Sequence, residues 1–171
     1  MPLLKNGRLA EDAWAFAPDD ADLAVGGCIT VSLSRFLAET DALTARNEGI
    51  GVRLAPADDP SLLSDHLDRL QLIEVEFPKY VDGRGYSIAQ LLRRRLGYSG
   101  ELRAVGQVLR DQLAYMTRCG FDALMFETSD AEAGYAAALA EFSEAYQATA
   151  DGRATVFEKR ARASRTAEDQ S

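Results

Sequence analysis

Apolar and polar residues alternate over several short stretches, and each stretch is followed by a segment with helical spacing. Cys28-Ile29-Thr30-Val31-Ser32-Leu33 predicts a strand, because β-branched residues suit a pleated surface. Ser34 is placed to cap a helix through about Arg46, with Phe36, Leu37 and Leu43 inward and Asn47-Glu48-Gly49 closing it. Ile50 to Leu54 is the next strand. A helix from Pro60 follows, capped by Asp59, with Leu63, Leu67 and Leu70 as its apolar stripe. The third unit runs from Leu72 to Phe77, through a polar loop, into a helix from Ser87 to about Leu96 that Gly97 ends. The fourth pairs Glu101 to Val105 with a helix carrying Leu109, Leu113 and Met116, ended by Gly120. The fifth pairs Phe121 to Phe126 with a helix from about Asp130 to Ala148.

Strands alternating with helices at this spacing predict an α/β fold of five βα units with a mainly parallel sheet. The strands carry charges at every second position. Val52 and Leu54 oppose Arg53; Ile73, Val75 and Phe77 oppose Glu74 and Glu76; Leu102 and Ala104 oppose Arg103 and Val105. A strand covered on both faces would read as a continuous apolar run. The alternation therefore predicts helices on one face only, as in a partial (β/α) barrel. A doubly wound open sheet, with the charges near strand ends, is the alternative. If the strands are neighbours, Arg53, Glu74, Glu76 and Arg103 form a charge-complementary strip. The strip would be a lumen, a homodimer contact, a partner surface or a purely structural ion-pair network.

The flanks lack this pattern. Residues 1–27 read as an irregular segment packed on the domain, with Asn6-Gly7 in a hairpin and Trp14 and Phe16 covering one edge of the core. The single α/β domain is expected over 28–150. The Arg-, Ala- and Ser-rich tail, 151–171, lacks a sustained apolar stripe and reads as flexible.

Ligands in either architecture bind at the carboxyl ends of the strands. That edge collects Asp58, Asp59, Lys79, Asp82, Arg84, Tyr86, Gln107, Arg110, Asp111 and Glu127. The candidate anion site is built around 78–87. Lys79, Arg84 and Arg110 supply charge, Asp82, Gly83 and Gly85 shape the loop, Ser87 caps the next helix, and Tyr86 and Asp111 lie beside them. Sulfite, sulfate or phosphate would suit it. Asp-Gly-Arg-Gly is neither a P-loop nor a dinucleotide fingerprint, and the plain alternative is a tight loop in which Asp82 and Arg84 pair with each other. His66, the single histidine, reads as a surface or packing residue. Glu74 and Glu76 lack the further carboxylates a hard cation needs, so no metal is expected. Arg93-Arg94-Arg95 reads as a solvated helix side, and Tyr115 and Met116 as helix packing.

Composition narrows the classes. A chain of 171 residues with 47% hydrophobic and 27% charged residues is an ordinary globular domain. A net charge of -8 opposes non-specific nucleic-acid binding. No apolar run approaches a membrane span, and acids within the first dozen residues oppose a signal peptide, so a cytoplasmic protein is expected. Cys28 and Cys119 form no CxxC pair and cannot ligate an iron–sulfur cluster alone.

Phe77-Pro78-Lys79-Tyr80, Asp82-Gly83-Arg84-Gly85-Tyr86-Ser87, Leu92-Arg93, Gly100-Glu101-Leu102-Arg103-Ala104-Val105-Gly106, Asp111-Gln112-Leu113 and Arg118-Cys119-Gly120-Phe121-Asp122 resemble, block by block, an uncharacterised bacterial family. That family, a domain of unknown function, carries an oxidoreductase label tied to sulfite reduction. Its genes lie beside those of sulfite reductase and adenylylsulfate reductase. The resemblance covers about Ile29 to Phe126. It implies a cytoplasmic role in sulfur assimilation with sulfite reductase as a partner, and it supplies no catalytic residues. A redox role would need a flavin or siroheme held without a recognisable motif, or no cofactor at all. Two expectations follow. One is an accessory protein that binds the reductase or a small oxyanion. The other is a pathway enzyme with Asp82, Asp111 or Tyr86 as acid or base.

Overall fold

The computed structural model describes residues 2–22, 26–126, 130–141 and 148–168. Strands β1 (Leu3–Lys5) and β2 (Arg8–Ala10) form an antiparallel hairpin. Its turn places Asn6 and Gly7 at φ 51° and 77°, successive positive values that Asn-Gly accommodates. The chain continues through β3 (Trp14–Phe16), β4 (Cys28–Ser32), α1 (Leu33–Ala38), α2 (Thr40–Thr44) and β5 (Ile50–Leu54). A 3-10 helix (Pro60–His66) leads to β6 (Leu72–Phe77) and α3 (Arg84–Gln90), which runs into a π-helical turn (Leu91–Arg95). Then come β7 (Glu101–Gly106), a 3-10 turn (Arg110–Gln112), α4 (Leu113–Cys119), β8 (Ala123–Met125), α5 (Ala131–Ala140) and α6 (Val156–Glu168).

The eight strands lie in one sheet in the order β2-β1-β8-β7-β6-β5-β4-β3. Strands β3 to β8 are parallel neighbours, and β1 joins β8 antiparallel. The parallel strands follow one another in chain order without a reversal. Right-handed crossovers then put the connections on the same face. The result is a curled half-barrel, and the doubly wound alternative, which needs a reversal of strand order, is excluded.

The covered face is apolar. Val31, Val52, Leu54, Ile73, Val75, Phe77, Leu102 and Ala104 join Phe36, Leu43, Leu63, Leu92, Leu113 and Met116 in a single buried cluster. The helix-free face is closed in another way. Strands β2 and β3 lie at opposite edges of the sheet, yet only Glu11, Asp12 and Ala13 connect them. A flat eight-stranded sheet would hold its edges about 34 Å apart at ~4.8 Å per strand. The step from Ala10 to Trp14 reaches about 15 Å at most. The tripeptide is therefore a strap, and it obliges the sheet to curl. It leaves β2 at the end where the parallel strands finish and enters β3 at the end where they begin.

Several expected boundaries move. Ser32, not Ser34, caps the first helix, its hydroxyl accepting from the Arg35 N–H at 3.1 Å, and the helix divides into α1 and α2. The segment after Pro60 is 3-10 rather than α-helical, although Asp59 caps it as expected at 2.9 Å from the Ser61 N–H. Helix α3 begins at Arg84, so Ser87 lies inside it and caps nothing. Leu109 stays outside α4 and is exposed, and Val105, assigned to the polar face, is buried. The last strand is trimmed to Ala123–Met125. The count of five strand–helix units is not reproduced as such, because the β5–β6 connection is 3-10 and 127–129 and 142–147 lie outside the described residues. The tail, read as flexible, carries α6. A capping box opens that helix, with the Thr155 N–H donating to Glu158 Oε2 at 2.7 Å and the Glu158 N–H to Thr155 Oγ1 at 3.2 Å.

Candidate functional site

Two groups of charged residues stand out, one on the outer rim and one on the helix-free face. The rim is built by the β6–α3 and β7–α4 connections, which fold as one platform. The Gln107 N–H donates to the Phe77 carbonyl at 2.7 Å, and Gln112 Nε2 donates to the Tyr80 carbonyl at 2.7 Å. The Asp82 N–H closes the turn on the Lys79 carbonyl at 2.9 Å.

Within it, Asp82 and Arg84 engage each other. Arg84 Nε and Nη2 donate to the two carboxylate oxygens at 3.0 and 2.7 Å, and the Arg84 N–H adds a bond at 3.2 Å. These side-chain and backbone bonds from Arg84 hold the Asp82 carboxyl down at about 2. One edge of the Arg84 fork is thereby occupied, although the side chain remains largely exposed.

The glycines act by packing. Neither Gly83 nor Gly85 adopts a positive φ, so the special backbone turns expected of them are absent. Gly85 is needed because a Cβ there would meet Phe77 Cζ at 2.5 Å. Tyr86 is half-buried, its ring 5.3 Å from Phe77 and 5.0 Å from Tyr115. Burial chiefly, with the charges of Cys119 and Asp111 after it, pushes its hydroxyl up to about 12. Lys79, Arg110 and Asp111 are exposed, and among the described residues the side chains of Lys79 and Arg110 form no hydrogen bond or ion pair. Around them Tyr80, Val81 and Leu109 stand open, Val81 at 71% exposure. Ser87 is exposed on α3, and Glu127 lies outside the described residues.

The helix-free face holds a closed ion network. Glu74 is 3% exposed; its Oε2 accepts from Thr30 Oγ1 at 2.9 Å and from Arg53 Nε at 2.8 Å. Its Oε1 lies 3.7 Å from Arg103 Nη1. Arg103 is the largest fully buried side chain of the protein's described residues. Its Nε and Nη2 donate to Glu101 at 2.9 and 2.7 Å, and its Nη1 donates to Asp12 of the strap at 2.9 Å. Lys5 of the hairpin completes the set at 2.7 Å from Glu101 Oε2. Burial pulls the Arg103 pKa down, but the bonds to Glu101 and Asp12 outweigh it and the net direction is up. Lys5, Arg53 and Arg103 balance Asp12, Glu74 and Glu101 in formal charge. Glycine at 51 lets the chains meet, since a Cβ there would stand 2.8 Å from Thr30 Cγ2 and 2.6 Å from the Leu72 carbonyl.

Of the predicted strip, Arg53, Glu74 and Arg103 come together. Glu76, two residues nearer the rim, has a side chain with no hydrogen bond or ion pair among the described residues. Sequence reasoning missed Lys5, Asp12 and Thr30. It passed over Glu101, whose spacing of two from Arg103 puts both on one strand face. Arg93, read as solvated, instead donates to the carbonyls of Tyr98, Gly100 and Gly120 and to Asp122, at 2.6, 2.8, 2.9 and 2.8 Å. It lies in the π-helical turn with Arg94 and Arg95, which stay exposed. His66 packs edge-on against Phe36 at 5.6 Å, and among the described residues no cluster of potential ligands suits a metal ion. Both cysteines are free, and burial pushes the Cys119 thiol up.

Residues 51–157, from β5 into the first turn of α6, match the model of a family described as a bacterial protein of unknown function (DUF934). The chain belongs to this family. The match takes in the whole rim platform, together with Arg53, Glu74, Glu76, Glu101 and Arg103, and leaves the hairpin and strap outside it. Comparison with curated proteins and with solved structures gave no match. No helix among the described residues is long and apolar enough to cross a membrane.

Proposed function

We propose that this member of the DUF934 family is an accessory protein of sulfite reduction that docks onto a partner reductase through the rim platform. The observation that carries the reading is the exposure of Tyr80, Val81 and Leu109, flanked by Lys79 and Arg110, cations whose side chains are unpaired among the described residues. Exposed apolar side chains ringed by charge suit a protein face with an apolar centre and an acidic border. A bare oxyanion finds less there, because Asp82 already occupies one edge of Arg84. The assignment of the partner to sulfur assimilation rests on the family resemblance of the sequence.

The enzymatic alternative draws little support from the proposed acid and base groups. Asp82 near 2 and Tyr86 near 12 are poorly matched to proton transfer at neutral pH. The test is co-purification with sulfite reductase. The native chain is expected to retain the reductase. Val81→Asp, at a position that buries nothing, is expected to weaken retention at least about tenfold through an unpaired charge in the contact. Failure of the native chain to retain the reductase, or undiminished retention by the variant, overturns the reading.

A further inference from the structure

The rim is not the only place where charge is left without a partner. Arg53, near the carboxyl end of β5 on the helix-free face, uses only one of its guanidinium nitrogens among the described residues. Its Nε donates to Glu74 at 2.8 Å, and its guanidinium lies over the Phe16 ring, 4.0 Å from the centroid. The Nη1 and Nη2 groups donate to no described residue, and the side chain is 26% exposed. A guanidinium held over a ring and pinned at Nε keeps its terminal Nη edge for a further acceptor.

Glu76 adds the second half. Arg53 and Glu74 are register partners on adjacent parallel strands, so Glu76 lies on the same face two residues further along. A strand spacing of ~4.8 Å and a rise of ~3.3 Å per residue put its Cα about 8 Å from that of Arg53. It is half-exposed and, like the outer edge of Arg53, has no partner among the described residues. The Nη edge of Arg53 and the carboxylate of Glu76 are thus one cationic and one anionic group on the same face without a side-chain partner among the described residues, near the carboxyl ends of the strands. In barrels of βα units this position, inward-facing and near the carboxyl ends of the strands, is where ligands are received.

We propose that Arg53 and Glu76 form a binding site for a small carboxylate that carries a hydrogen-bond donor on the adjacent carbon, an α-amino or α-hydroxy acid. The carboxylate takes the two Nη groups of Arg53, and the donor satisfies Glu76. A bare anion is disfavoured, because Glu76 repels it and gains no donor in return. The site is separate from the rim platform and stands or falls without it.

Calorimetric titration of the full chain with L-serine, L-lactate and sodium sulfate tests the site. Saturable binding of L-serine or L-lactate, with none for sulfate, is expected. Arg53→Lys keeps the charge but loses the fork, and is expected to weaken binding roughly tenfold or more. Glu76→Gln, which breaks no bond of the network, is expected to weaken L-serine more than L-lactate, since an ammonium gains more from a carboxylate than a hydroxyl does. Circular dichroism confirms that both variants fold. Silence toward both acids, equal binding of sulfate, or affinities unchanged in both folded variants would each overturn the proposal.

Discussion

At the scale of single residues, Asp82, Arg84 and Gly85 of the rim loop are occupied with local structure. Asp82 and Arg84 hold each other in a two-pronged pair, and the effect on titration has a definite sign. The carboxyl is depressed from its ordinary 3.8 to about 2, so what the pair contributes is present above the ordinary value and lost as pH falls through the lower one. Nuclear magnetic resonance titration is expected to place the Asp82 midpoint near the lower value, and Arg84→Ala to return it toward the ordinary one. Gly85 has a negative φ, so alanine meets no backbone penalty there. It meets the Phe77 ring instead, and Gly85→Ala is expected to lower stability by about 1–3 kcal/mol in denaturant unfolding. The sequence shows a glycine between Arg84 and Tyr86 but not which ring will press on it. Turn chemistry is local and readable; contact with a strand eight residues earlier is not.

At the scale of elements, the strands were the most legible part of the chain. The alternation of Ile73, Val75 and Phe77 with Glu74 and Glu76 anticipates both the boundaries of β6 and its one-sided covering. Helices fared less well, because their ends depend on small shifts that tertiary packing decides. In the π-helical turn after α3, Arg93 reaches three carbonyls while the next two arginines face water, a choice among three like side chains that the run Arg93-Arg94-Arg95 does not reveal. Partners of the strip on β5, β6 and β7 were half visible. Arg53, Glu74 and Arg103 announce themselves by alternation, but Lys5 and Asp12 come from parts of the chain with no periodic signal. The network has a graded consequence for stability. Arg103→Ala leaves buried Glu74 and partly buried Glu101 without their shared cation and is expected to cost about 3–5 kcal/mol in denaturant unfolding. Asp12→Ala is expected to cost less, about 1–3 kcal/mol, because Arg103 keeps Glu101 and Glu74.

At the scale of the whole molecule, the curl of the sheet has two sources. Strand order without reversal places the crossovers on one side, and the strap draws the two outer edges together. The first was foreseeable from the repeating strand–helix pattern. The second was not, because nothing in Glu11-Asp12-Ala13 says that the strands on either side of it lie at opposite borders of the sheet. The pairing of β1 with β8 carries a further consequence for how the chain is made. Leu4 sits opposite Leu124, so β1 finds its neighbour only after the whole parallel part of the sheet has been synthesised. Until then the hairpin offers an open border to any extended segment nearby. Completion of the half-barrel is thus a late, long-range event in the life of the nascent chain, and slow folding relative to its size is its natural signature.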